Sequence, residues 1–189
     1  MVEGLWGPAL TRRALLGTAT LAPGAMAVLT ACGTSTESLR KLPATARRDD
    51  VELLNRLLEL EYAGIYAYTA GIPLLNGRTR TDAQQFLKQE LAHAGELAGL
   101  IREAGYKPVT GAQSYDLGHP QTETGVLELL RRIENEQITG YVGALPRLVP
   151  GPVRAAIASI LANDAQHLSF VRAAVGDVPV PTAFVTGGE

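Results

Sequence analysis

The chain has 189 residues, 46% of them hydrophobic and 19% charged, a balance that suits a globular domain with a real core and excludes a disordered chain. Its formal net charge of −2 gives no electrostatic basis for binding nucleic acid. A single cysteine, Cys32, excludes an intramolecular disulfide.

At the N-terminus, Arg12 and Arg13 precede an uncharged stretch of mostly apolar or small residues over 14–31, which closes on Leu29-Thr-Ala-Cys32. This combination resembles a bacterial twin-arginine export signal joined to a lipoprotein cleavage box. The resemblance implies a signal peptide over 1–31, cleavage before Cys32, a lipid on its sulfur and an exported protein anchored to the bacterial membrane. A transmembrane anchor is the competing reading, weakened by Gly17, Pro23, Gly24 and the threonines within the stretch. Residues 32–48 then read as the lipidated cysteine and a flexible tether, polar and containing Gly, Pro, Ser and Thr.

The folded domain is expected over 49–176. Asp49 and Glu52 have the spacing of a capping box, and apolar residues at Leu54, Leu57, Leu58, Ile65 and Tyr68 predict a first helix over about 50–70. Phe86, Leu87, Leu97, Leu100 and Ile101 predict a second over about 82–104, with Gly105 as its cap. Leu127, Leu130, Ile138, Tyr141 and Leu145 predict a third over about 123–145, ended by Pro146. Ile157, Ile160, Leu161, Leu168 and Val171 predict a fourth over about 152–175, opened by Pro152 and closed by Gly176. Residues 177–189 form a tail with Pro and Gly. No strand is expected. The fold class is all-α: two antiparallel helical hairpins, joined by the seventeen residues 105–121, which are long enough to run back along a helix.

Each predicted apolar face carries acids or histidines. Glu61 lies on the first helix, Glu90 and His93 on the second, Glu134 on the third, and Asp164 and His167 on the fourth. The spacing repeats. Glu61 precedes Tyr68 by seven, as Glu134 precedes Tyr141, and Glu90 precedes His93 by three, as Asp164 precedes His167. The chain therefore reads as one hairpin duplicated, its polar residues meeting at mid-height. Taken singly, each histidine is an ordinary core or boundary residue, each tyrosine a core aromatic, and His119 a solvated loop residue. Glu136 competes with Glu134, but Glu134 keeps the seven-residue spacing. Taken together, burying so many polar groups without partners would be costly. Carboxylate and imidazole three apart project from one helix face and can share an ion. Four carboxylates with two imidazoles suit two Fe or Mn ions better than Zn or Cu.

The stretches LEYAGIYAY (60–68), QELAHAGEL (89–97), IENEQITGYVGAL (133–145) and ILANDAQHLSF (160–170) resemble, in this order, the ferritin-like superfamily, and in particular its small bacterial exported branch. The resemblance implies a ferritin-like four-helix bundle. Glu61 and Glu134 would be single-carboxylate metal ligands, with Glu90–His93 and Asp164–His167 as paired ligands. Tyr68 and Tyr141 would hydrogen-bond ligand carboxylates from neighbouring helices. It also implies oxidation of Fe(II) or reduction of O2 or peroxide, and allows a homodimer, since the family often dimerises. Asp164 departs from the pattern, which has Glu there; being shorter by about 1.5 Å, it could reduce the site to one ion. The alternative function is a non-enzymatic envelope lipoprotein that uses the bundle as a binding scaffold, with a degenerate metal site.

Overall fold

In the computed structural model, which describes residues 39–188, Pro43 marks where the first helix begins. Its backbone is extended (ψ 146°) and it lacks an N–H, so the helix α1 starts just after it and runs Ala44–Gly71. This start lies upstream of the expected one, and no side chain caps it. Ala44 to Arg48 contain no helix breaker, and upstream Leu39 is fully buried in the core. Residues 39–48 therefore belong to the folded domain, which shortens the expected tether from its C-terminal side. The capping box at Asp49 and Glu52 is replaced by a different contact. Asp50, 1% exposed, accepts the Val149 backbone N–H at 3.4 and 3.3 Å through its two carboxylate oxygens, pinning α1 to a distant loop. Burial raises the pKa of Asp50. Arg12, Arg13 and Cys32 lie outside the described residues.

A short 3-10 turn, Ile72–Leu74, leads to α2, Gly77–Glu103, which begins earlier than predicted with Gly77 at φ 45°. Such a positive φ suits glycine and lets the chain reverse in very few residues. Helix α3 spans Glu123–Ala144; its cap is the Thr122 side chain, accepting the Gly125 N–H at 3.1 Å. Helix α4 spans Gly151–Val175 and ends on Gly176 at φ 87°. The described residues contain no strand, and no helix among them is long and apolar enough to cross a membrane. The tail lies back over the bundle, with Arg172 Nε donating to the Val178 carbonyl at 2.8 Å.

The core divides into two apolar clusters. One gathers Leu54 and Leu58 of α1, Leu97 and Ile101 of α2, Tyr141 at the end of α3, and Val153 and Ile157 of α4. The other gathers Ala67 and Tyr68, Ala83 and Phe86, Val126 and Leu130, and Val171. The order along each helix gives the directions: α1 and α4 run from the first cluster to the second, and α2 and α3 run back. Residues 104–122 must therefore travel the length of the bundle, the long crossover that the sequence suggested. On the way, Val109 N donates to Asn55 Oδ1 of α1 at 2.9 Å, and Tyr115 OH donates to Glu59 Oε2 at 3.3 Å. Helix α1 packs extensively on α2 and α3, and α3 on α4. Of the antiparallel pairs, α2 and α4 approach each other least.

At the end of α1, Gly71 makes a close approach to α3. A Cβ there would sit 2.6 Å from Val126 Cγ1, a branched side chain with little rotational freedom. Gly71→Ala should therefore destabilise the fold by ~1–3 kcal/mol through overpacking, despite alanine's better helix propensity. Urea denaturation checks this; a stabilised variant would show that α1 and α3 separate easily there.

Candidate metal centre

Between the two apolar clusters, each helix contributes its polar residues to one layer. Glu61, Glu90, Glu134 and Asp164 are each 0% exposed, His167 1% and His93 9%. Glu136, the competitor of Glu134, is exposed, as is His119. The six side chains converge. His167 Nδ1 lies 3.2 Å from Glu90 Oε1 and 3.4 Å from Glu134 Oε1. His93 Nδ1 lies 3.3 Å from Asp164 Oδ1, 3.5 Å from Glu61 Oε2 and 3.9 Å from Glu90 Oε1. They form two overlapping groups whose ligand-type atoms lie within 4.8 Å of one another: Glu90, Glu134, Asp164 and His167, and Glu61, Glu90 and His93. Glu90 belongs to both. The short side chain of Asp164 reaches the cluster.

Each of the two tyrosines hydrogen-bonds a carboxylate of a neighbouring helix. Tyr68 OH of α1 donates to Glu134 Oε1 of α3 at 2.5 Å, and Tyr141 OH of α3 donates to Glu61 Oε1 of α1. These two bonds cross the bundle in opposite directions, the signature of the duplication. Three further groups were not singled out from the sequence. Gln137, fully buried on α3, donates from Nε2 to Glu90 Oε2 at 2.5 Å. Gln89 Oε1 lies 2.8 Å from His167 Nε2, and Phe86 stacks on the His167 ring at a centroid distance of 4.2 Å. The available signal was Gln137 itself, a polar residue three after Glu134 on the same helix face.

The electrostatics are unfavourable as they stand. Two carboxylates about 4 Å apart repel by ~4 kcal/mol even at an effective dielectric of 20. Burial, followed by repulsion from Glu90 and Asp164, lifts the Glu61 pKa well above the usual carboxylate range. Burial, with Glu134 and Glu90, lifts Asp164 likewise. Burial and Glu90 bring Glu134 to about 7. Burial lowers the pKa of His93. For His167, burial also opposes the charged ring, but Glu134 and Glu90 outweigh it and push the pKa up to about 10. After every hydrogen bond is made, Glu61 Oε2, Glu90 Oε1, Glu134 Oε2, both Asp164 oxygens and the Nδ1 atoms of His93 and His167 remain buried without a hydrogen-bond partner. Buried polar atoms are rarely left so. All are atoms of the kinds that ligate metal ions.

A crossover four-helix bundle with a buried layer of carboxylates and imidazoles defines a class of protein. Residues 49–177 match the family model described as a ferritin-like domain, and the chain belongs to that family. No curated protein matches the chain. Among solved structures, a conserved hypothetical protein from Mycobacterium tuberculosis is similar with a TM-score of 0.67 at 20% identity, over 74% of this chain and 99% of that one. A structure described as ferritin like, diiron-carboxylate proteins from Bacillus anthracis str. Ames is similar with a TM-score of 0.60 at 20% identity, over 71% of this chain and 99% of that one. At such identity these likenesses show the fold alone.

Proposed function

We propose that the chain binds two Fe or Mn ions through Glu61, Glu90, His93, Glu134, Asp164 and His167, and that it oxidises Fe(II) or reduces O2 or peroxide. The observation that carries the reading is the set of buried, partnerless carboxylate oxygens and imidazole nitrogens facing one another in the middle of the bundle. The diiron-carboxylate description of the Bacillus anthracis structure supports it. The ions, when bound, supply one-electron redox chemistry. With peroxide as oxidant and Fe(II) as substrate, two Fe(II) lose one electron each, and those electrons with two protons convert one H2O2 into two waters. Around the ions the protein's own groups position the ligands: Tyr68, Tyr141 and Gln137 each hold one oxygen of a carboxylate and leave the other without a hydrogen-bond partner. The apolar clusters above and below keep bulk water out.

The test is elemental analysis of the purified chain, followed by Fe(II) oxidation with peroxide monitored by absorbance. About two ions per chain are expected, with loss of metal in Glu61→Ala and His93→Ala. A metal-free chain, unaffected by added Mn(II) or Fe(II), would overturn the reading. On the N-terminal sequence alone, we also infer export and lipid attachment at Cys32. Cys32→Ser should then release the protein from bacterial membranes; unchanged membrane association would refute lipid anchoring.

A further inference from the structure

The duplication departs from its own symmetry at two pairs of positions in the ligand layer. Position 64 follows Glu61 by three on α1, and position 137 follows Glu134 by three on α3, so the two are counterparts; one is Gly and the other Gln. Among the paired-ligand carboxylates the counterparts are Glu90 and Asp164, one long and one short. The two differences fit together. Gln137 Nε2 donates to Glu90 Oε2 at 2.5 Å, whereas neither Asp164 oxygen has a hydrogen-bond partner. The space that the amide occupies exists because position 64 has no side chain. A Cβ on Gly64 would lie 2.8 Å from both Gln137 Nε2 and Glu90 Oε2.

We propose that Gln137, admitted by Gly64, is a positioning residue that fixes Glu90 with one oxygen engaged and one turned into both ion positions. This makes Glu90 the fixed carboxylate of the centre and Asp164 the free one. The inference rests on the metal-binding reading. With Oε2 engaged by the amide, Oε1 is the Glu90 oxygen free of hydrogen bonds, and it lies within reach of both imidazoles, 3.2 Å from His167 Nδ1 and 3.9 Å from His93 Nδ1. Asp164, with no such donor, retains both oxygens for ligation. The two ion positions are therefore unequal in the carboxylates that serve them, although the ligand types repeat.

The experiment is Mn(II) titration by calorimetry on the full chain, paired with thermal unfolding of the metal-free protein, for wild type, Gln137→Leu and Gly64→Ala. Leucine keeps the bulk of the side chain and removes the donor. Gln137→Leu should weaken Mn(II) binding by ~10–100-fold, the range for groups that support ligands, while the metal-free melting temperature shifts little, because the variant leaves Glu90 Oε2 without its donor but also removes the partnerless Gln137 Oε1. Gly64→Ala should weaken Mn(II) binding in the same direction by displacing the amide and Glu90 Oε2. Wild-type affinity in Gln137→Leu would overturn the inference and leave the metal site standing. So would a fall in melting temperature with no change in affinity, which would assign Gln137 to packing. A wild-type chain that takes up no Mn(II) would instead sink the metal-binding reading itself.

Discussion

Glu90→Gln should deprive the chain of metal at both positions, while Glu61→Gln should impair only one. The distinction follows from geometry. Glu90 is the residue common to the two ligand groups, whereas Glu61 belongs to one and Glu134 to the other. An amide retains the shape and can still accept the Gln137 hydrogen bond, but it brings no charge and binds Fe or Mn poorly. A loss of affinity of at least ~100-fold is expected at each position, exceeding the 10–100-fold typical of groups that only support ligands. Mn(II) titration and elemental analysis read the outcome as a stoichiometry: near zero for Glu90→Gln and near one for Glu61→Gln. Equal losses in the two variants would mean that the two groups act as a single ion position. Both substitutions keep the fold, because the neighbouring tyrosine and glutamine donors find an amide oxygen in place of the carboxylate.

The metal-free bundle should lose stability as pH rises from about 5 to 9, and Mn(II) should reverse that trend. The sign follows from proton counting. Glu134 titrates at about 7 in the fold against 4.5 ordinarily, and Glu61 and Asp164 are also raised, so the folded state holds protons that the unfolded state has released. Raising the pH through this interval therefore favours unfolding. His167, raised to about 10 from 6.5, acts in the same direction at higher pH: the stability it lends is complete below 6.5 and is lost as pH climbs toward 10. His93, lowered, acts oppositely, but its contribution is complete by about its ordinary value of 6.5. For Glu134 alone the loss is about 3 kcal/mol between the two pKa values. Divalent ions compete with the same protons, so Mn(II) binds more tightly as pH rises and stabilises by mass action. Thermal unfolding at pH 6 and 8.5, with chelator or with Mn(II), checks both halves. A chelated protein whose melting temperature climbs over that range would mean that the carboxylates are not close-set and buried in solution.

How much of this was legible in the sequence depends on the kind of signal. The helical period put Glu61, Glu134 and Asp164 on apolar faces, and repeated spacing paired them with Tyr68, Tyr141 and the histidines. The length of the 105–121 segment pointed to a crossover. Periodicity says which way a side chain faces, not which atom it meets. Gln137 was therefore invisible as a partner for Glu90, because their contact joins different helices across 47 residues of chain. The contact of Asp50 was invisible for the same reason: the capping box was read at its neighbours Asp49 and Glu52, while the partner of Asp50, Val149, lies 99 residues away. The start of α1 was missed because Ala44–Arg48 carry no apolar stripe, and the burial of Leu39 depends on helices that arrive later in the chain.

The loose approach of α2 to α4 has a consequence for how the molecule would breathe. Glu90 and His93 project from one of these helices, Asp164 and His167 from the other, and His93, the least buried of the six, keeps a sliver of solvent access. The weakest seam of the bundle is thus the seam that ions would bridge. Without them it is the natural place for the helices to part and admit a small cation; with them it becomes a clasp, and cargo and fastener would be one and the same.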